Sequence, residues 1–209
     1  SAIRNPTLTD QYLHYNVGRA ILLGNISGYE NLITLNSFVD FLNTGLKDTL
    51  EYFNIAPIRP EQVKTIEIGY RTTLFNVLFA DLGYYFSRYK DFIGYQIGIN
   101  AFIPQGSALP TSVQAYRVSS NAQDQVTTQG FSIGLNYFFK TKYVLKGNYS
   151  WNVLNTNTSD PIIPAFNTPE HKFNIGISGR DFEFFGIKNL GFNINYKWID
   201  SFVFEGSPQ

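Results

Sequence analysis

A strict alternation of apolar and polar residues between Leu190 and Trp198 constrains the fold of this chain more than any other feature. Every second position carries a large apolar side chain, namely Leu190, Phe192, Ile194, Tyr196 and Trp198. The positions between them hold glycine, asparagine or lysine. Because side chains of a β-strand point alternately to opposite faces, the segment is predicted to be a strand with one apolar and one polar face. Tyr and Trp at the end of the apolar face are typical of a membrane–water boundary.

The same alternation recurs along the chain and predicts six strands. They lie near residues 64–75, 78–90, 128–139, 143–153, 171–180 and 189–200. One such strand fits many folds, but six with the same pattern indicate an all-β, antiparallel transmembrane β-barrel wall. A tilted membrane crossing takes about 9–11 residues, and each of these segments is long enough for one.

Two short connections fix the register of the first hairpins. A turn centred on Asn76 places Arg71 opposite Asp81 and Glu67 opposite Tyr85. A shift of one residue would place apolar side chains beside polar ones, so the pattern excludes it. In the second hairpin, a turn centred on Thr141 places Asn136 opposite Lys146.

The connections alternate between short and long, which predicts an orientation. Outer-membrane barrels have short periplasmic turns and long extracellular loops. The long segments 7–60, 93–125 and 154–169 are therefore expected to be extracellular loops, with residues 1–6 ending a strand. Hairpins are expected over 61–92, 126–153 and 170–203, with residues 180–188 as the last turn. Within the first loop, Asn36 or Ser37 is predicted to cap a short helix that ends at Gly45.

Composition narrows the class of protein further. The 209 residues contain 16 Lys plus Arg and 16 Asp plus Glu, so net charge does not point to nucleic acid as a partner. Aromatic residues make up 17% and charged residues 15%, which favours a strand-rich membrane wall. The absence of Cys excludes thiol chemistry within these residues. Six or seven strands cannot close a large barrel, so we expect an incomplete chain that forms one part of a longer wall.

Several short motifs, in order along the chain, resemble those of TonB-dependent outer-membrane receptors. The motifs are Arg-Asn-Pro-Thr at residues 4–7, the Arg-Pro-Glu to Ile-Gly-Tyr stretch at 58–70, the aromatic stretch at 84–93, Thr-Pro-Glu-His-Lys-Phe at 168–173, and Lys-Trp-Ile-Asp-Ser-Phe at 197–202. The last of these is most similar to Bacteroidota members of the family.

This resemblance implies the fold and the function. The family fold is a 22-stranded barrel that encloses an N-terminal plug domain. The implied function is active import of a nutrient ligand across the outer membrane of a Gram-negative bacterium, by a multi-pass protein that is not an enzyme and needs no cofactor. The implied partners are outer-membrane lipid, the protein's own plug domain and the TonB complex, with a surface lipoprotein as a further possibility. The plug domain is not among these residues, and the sequence does not identify the nutrient.

Polar residues on the non-apolar face are the candidate lumen-facing or plug-facing residues. They are Arg4, Glu67, Arg71, Asp81, Tyr85, Asn136, Lys146, Asn148, Asn193, Asn195 and Lys197. Contact with the plug is the simpler expectation for most of them, and ligand recognition is expected mainly from loop residues 8–57 and 94–122. Glu67, Arg71 and Asp81 are interpreted as a charge ladder instead of an acid–base catalytic group. His14 and His171 lack neighbouring ligand residues, so no metal site is predicted.

Two alternatives remain open from the sequence. A passive porin or a secretion-associated outer-membrane barrel would have the same wall chemistry, and a plug with a TonB box would distinguish the receptor from both. A soluble carbohydrate-binding β-sandwich would place its aromatic residues in a sugar site and would have a packed core behind each sheet.

Overall fold

The structure is a computed structural model and describes residues 1–107, 109–140, 142–156, 160–164 and 166–202. In chain order the elements are β1 Ala2–Arg4, α1 Leu8–Tyr12, β2 His14–Asn16, β3 Ala20–Leu23, β4 Tyr29–Ile33, α2 Leu35–Thr44, a 3₁₀ turn Lys47–Thr49, β5 Tyr52–Ile55, β6 Glu61–Leu74, β7 Leu78–Lys90, β8 Ile93–Phe102, β9 Ser112–Asn121, β10 Val126–Phe139, β11 Tyr143–Asn155, β12 His171–Phe184 and β13 Ile187–Ile199. No helix in the described part of the chain is long and apolar enough to span a membrane.

The long strands form one antiparallel sheet, here called the wall sheet. Its strand order is β1-β6-β7-β10-β11-β12-β13, and it is open at both edges. The six predicted strands are confirmed, and the strand end predicted at residues 1–6 is β1, which pairs with β6. The predicted registers are also confirmed: Arg71 pairs with Asp81, and Glu67 with Tyr85. Asn136 pairs with Lys146 in the next hairpin, as the polar pattern predicts.

Tight turns join β6 to β7 and β12 to β13. Phe75 and Asn76 both have positive φ, at 52° and 55°, and Phe185 and Gly186 have φ of 50° and 78°. Two consecutive residues with positive φ form the turn whose twist matches the twist of the flanking strands. The turn predicted over residues 180–188 is found within that range but is shorter, because both strands continue until only Phe185 and Gly186 separate them. Asp181 has a φ of 58° inside β12, where the pairing with β13 shifts register.

The apolar face of the wall sheet is open to its surroundings. Ile66 and Ile68 are each 69% exposed and Ile194 is 65% exposed, although all three lie in regular strands. In a water-soluble protein such an apolar face would be covered by a second layer of helices or strands. The soluble-sandwich alternative needs that second layer, and among the described residues none covers this face.

Aromatic side chains form two belts on the apolar face. The upper belt joins Phe131, Tyr149, Trp151, Phe173 and Trp198, with ring centroids 5.4–5.7 Å apart within its contacting pairs. The lower belt joins Tyr137, Phe139, Tyr143, Phe182 and Phe192, with centroids 5.0–5.7 Å apart.

The spacing of the belts fits a membrane. Trp151 and Tyr143 lie eight residues apart on β11, about 27 Å along a strand at about 3.4 Å per residue. A strand tilt of about 40° reduces this to about 21 Å, close to the apolar band of about 25 Å in outer-membrane barrels.

A second sheet, here called the distal sheet, has the order β2-β3-β9-β8-β4-β5. Residues 93–125, where the sequence predicts a long loop and no strand, contain β8 and β9, which pair along ten residues. Segment 7–60 likewise contributes four short strands, of which β3 pairs in parallel with β9. Helix α2 covers part of this sheet and buries Phe41 completely, while Val118 is buried in a neighbouring cluster. These long connections therefore form a packed layer.

The predicted short helix is confirmed as α2, with one correction. Its N-terminal cap is Thr34, whose hydroxyl accepts a hydrogen bond from the Ser37 amide at 3.3 Å, and not Asn36 or Ser37. Ser37 is buried instead, and its hydroxyl accepts from the Glu51 amide at 3.0 Å. Gly45 ends the helix with a φ of 71°, as predicted.

Candidate functional site

The eleven candidate residues all lie on the face of the wall sheet opposite the aromatic belts. Their side follows from the register, because directly paired residues share a face. The longest polar row crosses β6, β7, β10, β11, β12 and β13 at Arg71, Asp81, Gly134, Asn148, Asn174 and Lys197. Six strands thus contribute to a single polar line, which we call the central row.

Two contacts hold the central row together. The Arg71 guanidinium donates to Asp81 Oδ2 from Nη2 at 2.7 Å and from Nε at 3.1 Å. Both side chains are exposed enough, at 68% and 42%, for solvent to screen this ion pair. On the other side of Gly134, Asn174 Nδ2 donates to Asn148 Oδ1 at 2.8 Å. Asn174 was not among the predicted residues, although its position in the alternating strand identifies its face.

A second polar row, here called the Tyr85 row, crosses β7, β10 and β11 at Tyr85, Gly130 and Asn152. The Tyr85 hydroxyl donates to Asn152 Oδ1 at 2.9 Å, and Gly130 lies between them on β10. A Cβ at Gly130 would lie 2.7 Å from Tyr85 Cε1 and 2.8 Å from Asn152 Oδ1. The bond therefore requires glycine at this position. Glu67 lies opposite Tyr85 on β6, so the predicted pair belongs to this row.

The remaining candidates, apart from Arg4, lie nearer the short turns. Asn136 and Lys146 are paired, and Lys146 is paired in turn with Gly176. The side chain of Asn195 lies over Gly176, since a Cβ there would meet Asn195 Oδ1. Asn195 Nδ2 also donates to Asn193 Oδ1 at 3.1 Å. Glycine on one strand again makes room for an amide of the next.

A shallow groove runs between the central row and the Tyr85 row. Its floor is made of the small residues Gly69, Gly83, Ser132 and Ser150, and its volume is about 320 Å³. The hydroxyl of Ser150 is buried and has no hydrogen-bond partner among the described residues. Buried hydroxyls normally have a partner, so the groove retains unused hydrogen-bonding capacity.

A cavity of about 240 Å³ lies where the wall sheet meets the distal sheet. It is lined by charged, aromatic and apolar groups that include Arg4, Asp10, Leu23, Tyr95, Arg117 and Ser119. The Arg117 guanidinium lies 3.2 Å from the centre of the Tyr95 ring. Of the eleven candidate residues, Arg4 alone lines this cavity.

The carboxylate of Glu61 fixes one wall of this cavity. Glu61 is only 4% exposed, and its Oε2 accepts from the Ile93 amide at 2.9 Å. Arg4 Nη1 lies 3.7 Å from Glu61 Oε2, and Arg4 Nη2 lies 3.9 Å from Asp10 Oδ2. A buried carboxylate requires such partners because desolvation disfavours its charge. Glu61 therefore links β1 and β6 to the start of β8.

The side chain of Asn121 holds the junction of the two sheets. Its Nδ2 donates to the carbonyls of Arg59 at 2.9 Å and Asp91 at 2.7 Å, and its Oδ1 accepts from the Arg59 amide at 2.7 Å. Arg59 also forms an ion pair with Asp91 at 2.8 Å. Asp91 has a φ of 55°, so the chain bends where β7 continues into β8.

Sequence reasoning missed Asp10, Glu61, Tyr95, Arg117 and Asn121 as site residues. Four of them lie in segments predicted to be long loops, and Glu61 belongs to the Arg-Pro-Glu motif. A usable signal was present in β8, where Ile93, Tyr95, Ile97, Ile99 and Ala101 alternate with glycine and polar residues. That period of two predicts a strand.

Tyr29 in the distal sheet has a perturbed pKa. Its hydroxyl donates to the Gly24 carbonyl at 2.9 Å. Burial, and to a smaller extent the neighbouring Tyr116, raises the pKa of Tyr29 above its usual value. Among the described residues there is no group of three or more His, Cys, Asp or Glu side chains able to hold a metal ion.

Comparison with known proteins identifies the family. The family described as TonB dependent receptor-like, beta-barrel, matches residues 1–207. No curated protein and no solved structure matches the chain. This family consists of transport receptors of the outer membrane, and its fold agrees with the wall sheet and its two aromatic belts. The chain belongs to the TonB-dependent receptor-like β-barrel family.

Proposed function

We propose that these residues form part of an outer-membrane receptor that actively imports a nutrient ligand, driven by the TonB complex. The observation that supports the proposal is that the two faces of the wall sheet differ in polarity. The family match over residues 1–207 agrees with it. One face has an apolar band between two aromatic belts, and the other has continuous polar rows. A lipid-facing surface and a polar lumen require these two faces.

The open edges of the wall sheet support a larger barrel. In lipid, unpaired backbone groups on β1 and β13 have no water to bond with, so both edges need partner strands. The proposal supplies them from a closed barrel of 22 strands around a plug domain. In that arrangement the eleven candidate residues face the lumen or the plug.

The distal sheet is the extracellular part in this proposal. Three of the short connections, after β6, β10 and β12, lie at the end of the wall sheet away from the distal sheet. Short turns on the periplasmic side and large elements outside are typical of outer-membrane barrels. The multi-pass wall would therefore place the cavity near Arg4 and Arg117 on the outer side.

Two polar sites are the proposed contact surfaces. The cavity of about 240 Å³ combines guanidinium groups with an aromatic ring, which suits a small polar ligand entering from outside. The groove with the unpartnered Ser150 hydroxyl suits contact with the plug or with a ligand in transit. A surface lipoprotein could cover the distal sheet, and the Lys-Trp-Ile-Asp-Ser-Phe ending favours a Bacteroidota receptor.

The proposed function is tested by measuring whether the protein contacts TonB in a way that depends on the proton gradient. The natural protein carrying these residues would be cross-linked to TonB in living cells, with and without a protonophore that collapses the proton gradient. We expect a cross-link whose yield depends on the gradient. In planar lipid bilayers, the same protein should give no stable open pore, because the plug fills the lumen.

The porin alternative predicts the opposite pair of results. A passive porin would give a stable conductance in planar bilayers and no gradient-dependent cross-link to TonB. A secretion-associated barrel would also lack the cross-link. Either result would contradict active import while leaving the wall sheet intact as a membrane structure.

A further inference from the structure

Three cations lie together on the lipid-side face of the wall sheet, just beyond its apolar band. Lys64 and Arg88 are directly paired across β6 and β7, and Lys90 follows Arg88 on the same face. The preceding pair on this face is Ile66 with Phe86, which are apolar. The apolar pair and the cationic pair are therefore neighbours on this face, two residues or about 7 Å apart along the strands.

The three cations have no ion pair with any carboxylate among the described residues, and all three are exposed. Like charges placed directly opposite each other in a sheet are unfavourable. Asp91, one of the two carboxylates that line the surrounding groove, forms its ion pair with Arg59 at 2.8 Å. An anion between Lys64 and Arg88 would relieve their repulsion.

The surrounding surface forms a groove of about 490 Å³. Besides the three cations and Asp91, it is lined by Gln62, Gln123 and Gln125, whose amides are hydrogen-bond donors, and by Asp124. The backbone amide of Asp124 donates to Asp160 Oδ2 at 2.8 Å. Guanidinium and ammonium groups with amide donors suit phosphate oxygens.

We propose that Lys64, Arg88 and Lys90 bind the phosphate groups of a lipid in the outer leaflet. A lipid, unlike free phosphate, would also place its acyl chains along Ile66 and Phe86 directly below. The upper belt follows one step further along the strands, where its residue Phe131 is paired with Tyr84. The site thus holds a headgroup at the membrane boundary, where basic residues attract anionic lipid.

This inference rests on the membrane placement in the proposed function, and its test is separate from the test of transport. The natural protein would be purified in detergent and titrated with lipid A, and native mass spectrometry would count the bound lipid. Losing one cation should weaken lipid A binding about fivefold. Lys64→Gln with Arg88→Gln removes two neighbouring cations whose effects need not add, and it should weaken binding by between about fivefold and about 25-fold. Lys90→Gln provides a second variant with an independent expectation of about fivefold.

Lys188→Gln is the matched control, since Lys188 is an exposed cation of the same sheet at the start of β13, near the opposite end. We expect it to leave lipid A binding unchanged. Dephosphorylated lipid A with the same acyl chains should bind as weakly to the wild-type protein as lipid A binds to the double variant.

Two outcomes would overturn the proposal. Equal loss of binding in Lys188→Gln would show that general positive charge is responsible. Displacement of lipid A by an equal concentration of inorganic phosphate would identify a free-phosphate site instead. Loss of lipid binding with TonB cross-linking retained would leave the proposed function standing.

Discussion

Gly130 provides the sharpest test of how the polar face is built. A Cβ added at Gly130 would lie 2.5 Å from the Trp151 carbonyl oxygen and 2.7 Å from Tyr85 Cε1. Neither contact is tolerable, and the backbone oxygen cannot move away as a flexible side chain can. Gly130→Ala therefore has to move β10 and β11 apart at Trp151 and also displace the Tyr85 ring, which breaks the hydrogen bond from Tyr85 to Asn152.

The expected cost follows from two terms. Overpacking costs about 1–3 kcal/mol, and loss of the Tyr85 to Asn152 hydrogen bond costs about 1 kcal/mol. Gly130→Ala should lower the free energy of unfolding by about 2–4 kcal/mol. Urea unfolding of the natural protein in lipid bilayers, followed by tryptophan fluorescence, measures this difference.

Gly134→Ala is the matched control on the same strand and the same face. The nearest atoms to its added Cβ belong to Asp81 at 3.8 Å, which is ordinary contact. Its free energy of unfolding should stay within about 0.5 kcal/mol of wild type or rise slightly, because glycine weakens a strand. Equal losses in the two variants would refute the claim that close approach of Tyr85 and Trp151 requires glycine at 130.

Three further predictions concern other parts of the chain. Asn121→Ala removes three hydrogen bonds and should speed amide exchange in β8 and β9, whereas Asn100→Ala in the same hairpin should leave exchange unchanged. Arg71→Gln breaks an exposed ion pair and should lower the free energy of unfolding by no more than about 1 kcal/mol; a larger loss in a urea titration would contradict solvent screening. Because the pKa of Tyr29 is raised on folding, its contribution to stability is complete below pH about 10 and is lost as pH rises through the folded-state pKa. Amide exchange of β4 should accelerate over that range, and Tyr29→Phe should remove this part of the pH dependence.

The wall sheet could be predicted from the sequence because its strand pattern and most of its pairings involve residues close together in the chain. A period of two assigns each side chain to a face, and a short turn then sets the register of Arg71 with Asp81. The same parity puts all eleven candidate residues on one face. Contacts that depend on a neighbouring glycine, such as Tyr85 over Gly130, need the packed structure.

The distal sheet could not be predicted in the same way because its pairings are not local. Strands β3 and β9 lie in parallel, with Ala20 opposite Ala115, so nearly a hundred residues separate the partners. Strands of three to five residues also give too little periodicity to identify. The buried Glu61 and the junction residue Asn121 take their roles from this packing.

The bulge in β12 shows another limit of local reasoning. Arg180, Asp181 and Glu183 interrupt the apolar alternation, so the sequence predicts a turn over residues 180–188, which is longer than the turn observed. With Asp181 at positive φ, the strand absorbs the break in alternation and continues to Phe184. The actual turn is at Phe185 and Gly186, where the pattern contains an exposed aromatic residue.

The central claim is that the wall sheet has one face in lipid and one face in a polar lumen. Since the 209 residues contain no Cys, single cysteines carrying spin labels can be placed at neighbouring positions. Suitable pairs are Ile68 with Gly69, Leu135 with Asn136, and Ile194 with Asn195. In bilayers, labels at the first member of each pair should be relaxed by oxygen dissolved in lipid, and labels at the second by a water-soluble nickel complex or by neither reagent. Equal access of the nickel complex to both members of every pair would contradict a membrane-spanning wall.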